Sequence, residues 1–341
     1  MTLKLTPEIV KRMLVGSSIY STGGGFELGS QRKMFSALFD KKARLELVSI
    51  DELGDDDYVC TAYGVGSTSN TDFDLSEAMN IGLRRLEEIT GKRFKAIFAG
   101  ETNIDILAFQ AASGLNLPVL DGDCTGGRAV PEITFDNFLV AGISLLPSVV
   151  VDMKGNITIV RGDLTGEEIE RRIRKIAVDA GTSIAVLDHS ISVRDARKVL
   201  TLGIFERAIK AGEFIEKNRG NGDVVDLLAK RIGARKVIEG RITKVSFKDS
   251  GGFLESRYTV SDGKDMAEVY VKNENIILWL NGRMDVEPPD SIITVDKERM
   301  VGVHNSRIRK GVEVAVLALE ATELWRSPRA RNAFSKKSFG L

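Results

Sequence analysis

Strand-like and helix-like segments alternate along the first two thirds of the chain, and this alternation limits the available folds more than any other feature. An amphipathic helix is predicted at residues 76–90, because Met79, Leu83 and Leu86 fall on one face. Helices that alternate with strands cover the faces of a layered sheet. We therefore predict an α/β fold whose strands are LELVSI, DDYVCTAYGV, FKAIFAG, LPVLDGD, SVVVDM, NITIVRG and SIAVLDH.

Other segments with helical spacing complete this first part. They are expected at residues 31–39, 104–113, 167–180 and 193–216, where apolar residues recur every three or four positions. We assign residues 1–217 to an N-terminal α/β domain that carries the candidate site.

The pattern changes after Lys236, where apolar and polar residues alternate and the turn sequences DSGG, SDGK and LNGR intervene. Alternation with period two is typical of antiparallel strands that have one buried face. Residues 218–235 are rich in Asn, Gly and charge and are predicted to join the two parts. Residues 218–341 are therefore predicted to form a smaller, mainly antiparallel β C-terminal domain.

Charge and composition exclude several classes of partner. The 48 basic residues balance 48 acidic ones, so no overall charge attracts nucleic acid or an anionic membrane. The N-terminus lacks the apolar core of a signal peptide and no run of about 18 apolar residues occurs, so we expect a cytoplasmic protein and no membrane partner. Two cysteines are too few for a disulfide framework, and two histidines imply that any metal has mainly carboxylate ligands.

Three consecutive glycines lie between an early segment with helical spacing, which includes Ile9, Val10, Met13 and Leu14, and the helix predicted at residues 31–39. Thr22 precedes Gly23, Gly24 and Gly25, whose backbone can adopt positive φ and form an anion-binding nest. No GK[ST] sequence follows and no strand precedes, so neither a Walker loop nor a dinucleotide fingerprint is present and no nucleotide cofactor is expected. The alternative is a flexible connector.

Two further polar segments follow predicted strands. Gly66, Ser67 and Thr68 follow the strand DDYVCTAYGV and are candidates to hold a polar ring, although a simple turn is the alternative. Glu101 and Asn103 follow FKAIFAG, where the carboxylate would act as general acid or base or bind a ring N–H. Helix capping is the structural alternative for Asn103.

The sequence DGDCTGGRAVPE, residues 121–132, is the most unusual in the chain. Strand alternation places Asp121 and Asp123 on the same side, so they could share a proton or a metal ion. Together with Glu101 they are the candidate catalytic residues. Arg128 would offset the acidic cluster or hold a substrate carboxylate, and Glu132 is a further candidate for substrate binding.

Cys124 and His189 are open to two interpretations each. Cys124 is either a nucleophile activated by its surroundings or a passive small residue in the substrate site. His189 ends the strand SIAVLDH and either reaches the same sheet edge or caps it. A divalent metal, if the protein binds one, would take Asp121, Asp123 and His189, whereas His304 is expected to be structural or distant.

At these residues the chain resembles the S-methyl thiohydantoin desulfurase family, formerly a domain of unknown function associated with hydantoinases. The matching segments are GSSIYSTGGGFELG, the acidic strand end at Glu101, LPVLDGDCTGGRAVPEITF, KNENIILW and ALEATELWRSP, which together span nearly the whole chain. The resemblance implies an α/β part followed by a mainly β part. It also implies cleavage of a carbon–sulfur bond in a hydantoin-like ring.

The leading hypothesis is therefore a hydrolase that displaces a thiol from an S-methyl thiohydantoin, with a small molecule as its substrate. The alternative is a non-catalytic protein that binds a small metabolite, or a partner subunit of a hydantoinase-type enzyme. We also expect a homo-oligomer, because strands such as NIILWL offer edges that association would cover. Finally, the glycine turn, Glu101 and the loop at residues 121–128 are expected to converge on one cavity.

Overall fold

The computed structural model describes residues 2–66, 74–250 and 253–341 and divides them into two compact units. Of the described residues, the first unit contains those within 2–8, 29–127 and 132–204, and the second contains those within 9–28, 128–131 and 205–341. The first is a mixed α/β unit and the second is built around an antiparallel β-sheet, so the predicted fold class is confirmed. The boundary at residue 217 stays a prediction.

The sheet of the first unit runs in the order β1-β2-β5-β4-β3-β8-β6-β7, and β9 pairs with β5. Strands β2, β5, β4 and β3 are mutually parallel, whereas β8 runs antiparallel to β3 and to β6. The parallel strands bring their carboxyl ends to one edge, where ligands bind in α/β folds. The strands are β1 (Leu3–Lys4), β2 (Glu46–Val48), β3 (Tyr58–Val65), β4 (Phe94–Ala99), β5 (Val119–Asp123), β6 (Ser148–Val151), β7 (Ile157–Val160), β8 (Ile184–Ser192) and β9 (Thr201–Leu202).

Helix α3 (Ser76–Thr90) packs on this sheet through an apolar face that buries Met79, Leu83 and Leu86. A side-chain carbon added at Gly82 would lie 2.4 Å from Leu187 of β8, so this glycine lets its helix approach the sheet closely. Phe98, Leu120, Phe138 and Ala196 belong to one buried cluster beside the sheet. The helices of this unit are α2 (Leu28–Asp40), α3 (Ser76–Thr90), α4 (Asp105–Gly114), α5 (Asn137–Ala141), α6 (Gly166–Ala180) and α7 (Val193–Val199), whereas α1 (Pro7–Tyr20) and α8 (Ile204–Asn218) lie mainly in the second unit.

One expectation about a helix was wrong. The segment at residues 193–216 is not one helix, because it is interrupted by β9, which leaves α7 before it and α8 after it. Gly203, next to the interruption, has φ +76°, a conformation that a continuous helix does not contain. The junction at residues 218–235 contains a helix, α9 (Val224–Ile232), whose Val225 and Leu228 are buried.

The second unit contains an antiparallel sheet in the order β14-β13-β12-β11-β10-β17-β15-β16. Ile242, Val260, Val269 and Leu278 are buried together in its core, as the alternating pattern predicts. Its strands are β10 (Arg235–Ser250), β11 (Phe253–Ser261), β12 (Met266–Lys272), β13 (Glu274–Leu280), β14 (Arg283–Val286), β15 (Ser291–Asp296), β16 (Val301–Gly302) and β17 (Glu313–Leu319), and the helix α10 (Pro328–Ala333) follows them.

Helices α1 and α8 approach each other through small residues. A side-chain carbon added at Gly16 would lie 1.8 Å from the Ala208 carbonyl oxygen, and one added at Gly212 would lie 1.9 Å from the Arg12 carbonyl oxygen. The two glycines therefore allow backbone-to-backbone contact. In the part of the chain that the structure describes, no helix has the length and apolar character needed to cross a membrane.

Candidate functional site

Four ionisable side chains form a buried polar cluster in the first unit: Cys124, Asp136, Asp188 and His189. Cys124 follows β5 directly, Asp136 is the N-cap residue of α5, and Asp188 and His189 lie in β8. None is more than 3% exposed. Burying ionisable groups is unfavourable unless they are paired and hydrogen-bonded, so their mutual contacts explain how the fold tolerates them.

His189 is held between two carboxylates. Its Nδ1 pairs with Oδ1 of Asp188, and its Nε2 lies 3.1 Å from Oδ2 of Asp136. Burial opposes the positive charge, but Asp188 and Asp136 outweigh burial and raise the pKa of His189 to about 10. His189 is therefore an imidazolium at neutral pH that donates a hydrogen bond to each carboxylate.

The carboxylate oxygen of Asp188 that does not contact His189 accepts two hydrogen bonds. This oxygen, Oδ2, accepts them from the Tyr63 hydroxyl at 2.9 Å and from the Ser148 hydroxyl at 2.7 Å. Burial, together with the neighbouring charge of Asp188, raises the pKa of Tyr63 well above its usual range. Tyr63 therefore remains a neutral donor, and Asp188 is fixed from three sides.

The thiol of Cys124 points into the same cluster. Its Sγ donates to the carbonyl oxygen of Gly100, which follows β4, at 3.0 Å. Burial and the charge of Asp136 raise the pKa of Cys124 well above its usual range. Among residues 2–66, 74–250 and 253–341, the group of metal-ligating side chains whose ligand atoms all lie within 4.8 Å of one another is Cys124, Asp136 and His189. The structure thus groups His189 with Cys124 and Asp136, whereas the metal site of Asp121, Asp123 and His189 stays a prediction.

Three predicted site residues have backbone conformations that side chains rarely adopt. The φ angles of Thr22, Asn103 and His189 are +54°, +72° and +54°. Asparagine and histidine adopt this region more often than most residues, but β-branched threonine does so rarely. Such conformations persist where surrounding contacts hold them, and they concentrate at functional sites.

Asp123 organises the loop that follows β5. Its carboxylate accepts hydrogen bonds from the Thr102 hydroxyl at 3.1 Å, from the Thr125 amide and hydroxyl at 3.3 Å each, and from the Gly127 amide at 2.9 Å. Asp123 is fully buried, so these bonds replace its lost hydration. Thr102 lies next to Glu101 in the loop after β4. Its hydrogen bond to Asp123 therefore connects that loop to the end of β5.

The two other candidate carboxylates are more accessible. Asp121 and Glu101 are both half-buried, in contrast to Asp123. The backbone oxygen of Asp121 accepts a hydrogen bond from the Gly203 amide at 3.0 Å. Asn103 is buried, and its Oδ1 accepts a hydrogen bond from Gln31 at 2.9 Å. The catalytic roles of Asp121, Asp123 and Glu101 stay predictions.

The glycine turn belongs to the second unit and is enclosed by residues of that unit. A side-chain carbon added at Gly23 would lie 2.5 Å from the Asn305 amide, and one added at Gly24 would lie 2.0 Å from the Glu274 carboxylate. The Gly25 carbonyl accepts a hydrogen bond from His304 Nε2 at 3.0 Å. Gly23 and Gly25 also have φ +86° and +71°, so backbone conformation and close packing both favour glycine in this turn. The convergence of this glycine turn with Glu101 and the loop at residues 121–128 stays a prediction.

The remaining candidates have the following environments. Arg128, also in the second unit, donates to the carbonyl oxygens of Pro289 at 2.9 Å and Asp290 at 3.2 Å, and it stacks over the Phe334 ring. Glu132 is half-buried in the first unit. Gly66 allows close approach of the Ser183 side chain. Ser67 and Thr68 lie outside the described residues.

Comparison with known protein families accounts for almost the entire chain. Residues 8–162 match the model for the S-Me-THD-like N-terminal domain, and residues 165–341 match the model for the S-Me-THD-like C-terminal domain. The chain belongs to the S-Me-THD-like family. The sequence resemblance to the S-methyl thiohydantoin desulfurases is thereby confirmed.

A solved structure shares the fold of this S-Me-THD-like protein. It is the crystal structure of a protein from Chromobacterium violaceum, with a TM-score of 0.80 and 20% sequence identity, and the match covers 100% of this chain and 97% of that one. At this identity the likeness establishes the fold alone. No curated protein matches the chain.

In this S-Me-THD-like protein, sequence reasoning missed Asp136 of the buried polar cluster and Ser148, which donates to Asp188. Asp136 precedes the helix NFLVA, where an aspartate signals an N-cap, and its Oδ1 does accept the Phe138 amide at 2.7 Å. The second role of its carboxylate, the contact with His189, has no sequence signal. Ser148 begins a buried strand and is equally inconspicuous.

Proposed function

We propose that this protein is a hydrolase that displaces methanethiol from an S-methyl thiohydantoin-type ring. Water adds to the ring carbon that carries sulfur, so that a carbon–oxygen bond forms and the carbon–sulfur bond breaks. Methanethiol leaves with one proton from water, the other proton goes to the ring nitrogen, and a carbonyl remains on the ring. The reaction is a hydrolysis and needs no oxidant or reductant.

The observation that carries this proposal is the ordered match of both S-Me-THD-like domains over residues 8–341. The chemistry of the first unit supports it. A charged histidine, two carboxylates and a thiol are held beside the ends of β4 and β5, where α/β folds bind ligands. Hydrolysis of this ring requires groups that donate and accept protons, and such groups are concentrated there.

Within this proposal the three predicted carboxylates have different tasks. Asp121 and Glu101 are half-buried, so they are the candidates to accept a proton from water and to accept the ring N–H. Asp123 is committed to four hydrogen bonds and serves as the residue that shapes the loop. We propose that the charges of the buried polar cluster contribute to the electrostatic potential of the site.

Thiol release from synthetic S-methyl thiohydantoins tests the proposal. Purified full-length protein is assayed with a thiol-reactive dye, with and without added divalent metal. We expect release by the wild-type protein and at least a hundredfold loss of kcat in Asp121→Asn or Glu101→Gln, since general acid–base groups contribute about 10²–10⁴-fold. Asp195→Asn, which changes an exposed carboxylate of α7, is the matched control and should retain activity.

Failure to release thiol from any member of the substrate series, under either metal condition, would exclude the hydrolase. If the same compounds raise the melting temperature without turnover, the protein is instead the small-metabolite binder considered above. Homo-oligomer formation and cytoplasmic location stay predictions. Light scattering at working concentration tests the first of these.

A further inference from the structure

We propose that Cys124, Asp136 and His189 form a binding site for one divalent cation of the Zn²⁺ type. The three side chains offer one sulfur, one carboxylate oxygen and one imidazole nitrogen, and these ligand atoms all lie within 4.8 Å of one another. Thiolate and imidazole are ligands that Zn²⁺ prefers, whereas Mg²⁺ and Ca²⁺ prefer sites made of oxygen. The donor set therefore selects the class of cation.

The spacing is close to that of a coordinated ion. Ligand atoms around tetrahedral zinc are about 3.5 Å apart, given zinc-to-ligand distances of about 2.0–2.3 Å. Nε2 of His189 and Oδ2 of Asp136 are already 3.1 Å apart. Binding therefore requires only side-chain adjustments of about 1 Å by the most distant pair, while the backbone of β8 and the N-cap of α5 stay in place.

Asp188 is an independent observation that points to a metal ligand. It holds Nδ1 of His189, which leaves Nε2 directed towards Asp136 and Cys124. Metal-binding histidines almost always donate their second N–H to a carboxylate or carbonyl, and that outer partner is itself hydrogen-bonded. Asp188 meets this condition because Tyr63 and Ser148 both donate to it.

Charge also favours a cation here. The cluster holds two carboxylates that face one imidazole, and a dication that replaces the Nε2 and Sγ protons leaves the net buried charge unchanged. With three protein ligands, tetrahedral coordination keeps a fourth position for water. A water in that position would be a reactant for the hydrolysis proposed above, a role that rests on the proposed function.

Cobalt titration of the full-length protein tests the site without any substrate. Chelator-treated protein is titrated with Co²⁺ and then with competing Zn²⁺. We expect one Co²⁺ per chain, a thiolate-to-cobalt charge-transfer band, and displacement of Co²⁺ by Zn²⁺. Cys124→Ser should lose the band and bind at least tenfold more weakly. Cys60→Ser, which alters the other buried cysteine, should retain both properties.

X-ray absorption of the Zn²⁺-loaded wild-type protein covers the case in which Cys124→Ser fails to fold, and it should show one sulfur among nitrogen and oxygen ligands. Absence of stoichiometric binding, a coordination shell without sulfur, or an unchanged band in Cys124→Ser would overturn the site. Cation binding with no thiol release would refute only the hydrolase, whereas thiol release without cation binding would refute only the metal site.

Discussion

Replacement of Asp188 by asparagine removes one charge from the buried polar cluster while preserving the shape of the side chain. Asp188 is fully buried and pairs with the imidazolium of His189, so the substitution leaves a buried positive charge with only Asp136 as its partner. Breaking a buried ion pair by removing one partner costs about 3–5 kcal/mol. We expect Asp188→Asn to lower the free energy of unfolding of the first unit by about this amount.

A graded series separates charge from hydrogen bonding. Tyr63→Phe removes one of the donors to Asp188 but leaves the charge pair intact, so it should cost about 1.5–3 kcal/mol, the range for a hydrogen bond to a charged group. Asp195→Asn serves as the surface control, because Asp195 is exposed and its partner Lys198 is exposed as well. Its effect should be much smaller than that of Asp188→Asn.

The assay must report on the first unit. Trp279 and Trp325, the two tryptophans of the chain, both lie in the second unit, so their fluorescence would follow the wrong part of the molecule. Hydrogen exchange of peptides from β3 and β8, measured by mass spectrometry in chelator-treated protein, gives the local opening free energy directly. If the local opening free energy falls no more in Asp188→Asn than in Asp195→Asn, the idea that charge holds the cluster together is refuted.

Three further predictions concern other parts of the molecule. Gly16→Ala should strongly destabilise the second unit in denaturant unfolding followed by tryptophan fluorescence, since the added carbon would lie 1.8 Å from the Ala208 carbonyl oxygen. Gly222→Ala is the matched control in the same unit, because a side-chain carbon added there meets nothing within 4 Å. It should be neutral or stabilising by up to about 1 kcal/mol, and equal effects would contradict the packing argument. Asp123→Asn should lower stability by about 1–3 kcal/mol and increase hydrogen exchange at residues 125–127, because the amide cannot accept all the hydrogen bonds of the carboxylate. Burial lowers the pKa of His304 below its ordinary value of 6.5, so the unfolded chain binds this proton more readily and the unfolding free energy should fall as pH decreases below 6.5. His304→Gln should flatten this pH dependence, and an unchanged slope would show that other groups cause it.

Local periodicity was sufficient to predict the fold class. The helix at residues 76–90 is observed as α3 with the same bounds, and the alternating pattern after Lys236 forms the antiparallel sheet. These features follow from which faces of each element are apolar, and that information is local. The interruption by β9 was missed because a two-residue strand leaves no periodic signal.

The buried polar cluster, by contrast, was decided by tertiary structure. His189 and Cys124 could each be named from the sequence, but each was left with two interpretations, since nothing local indicates that Asp136 lies 53 positions from His189 yet contacts it. Likewise, nothing local indicates that the Asp123 carboxylate accepts hydrogen bonds both from Thr102, 21 positions away, and from the loop that follows it. A strand's sequence determines which side chains alternate. Only the pairing of β3, β6 and β8 brings Tyr63 and Ser148 to Asp188, and only the position of α5 brings Asp136 to His189. The sign and size of a pKa shift depend on how deeply a group is buried and on which charges lie beside it, and both of these arise from packing.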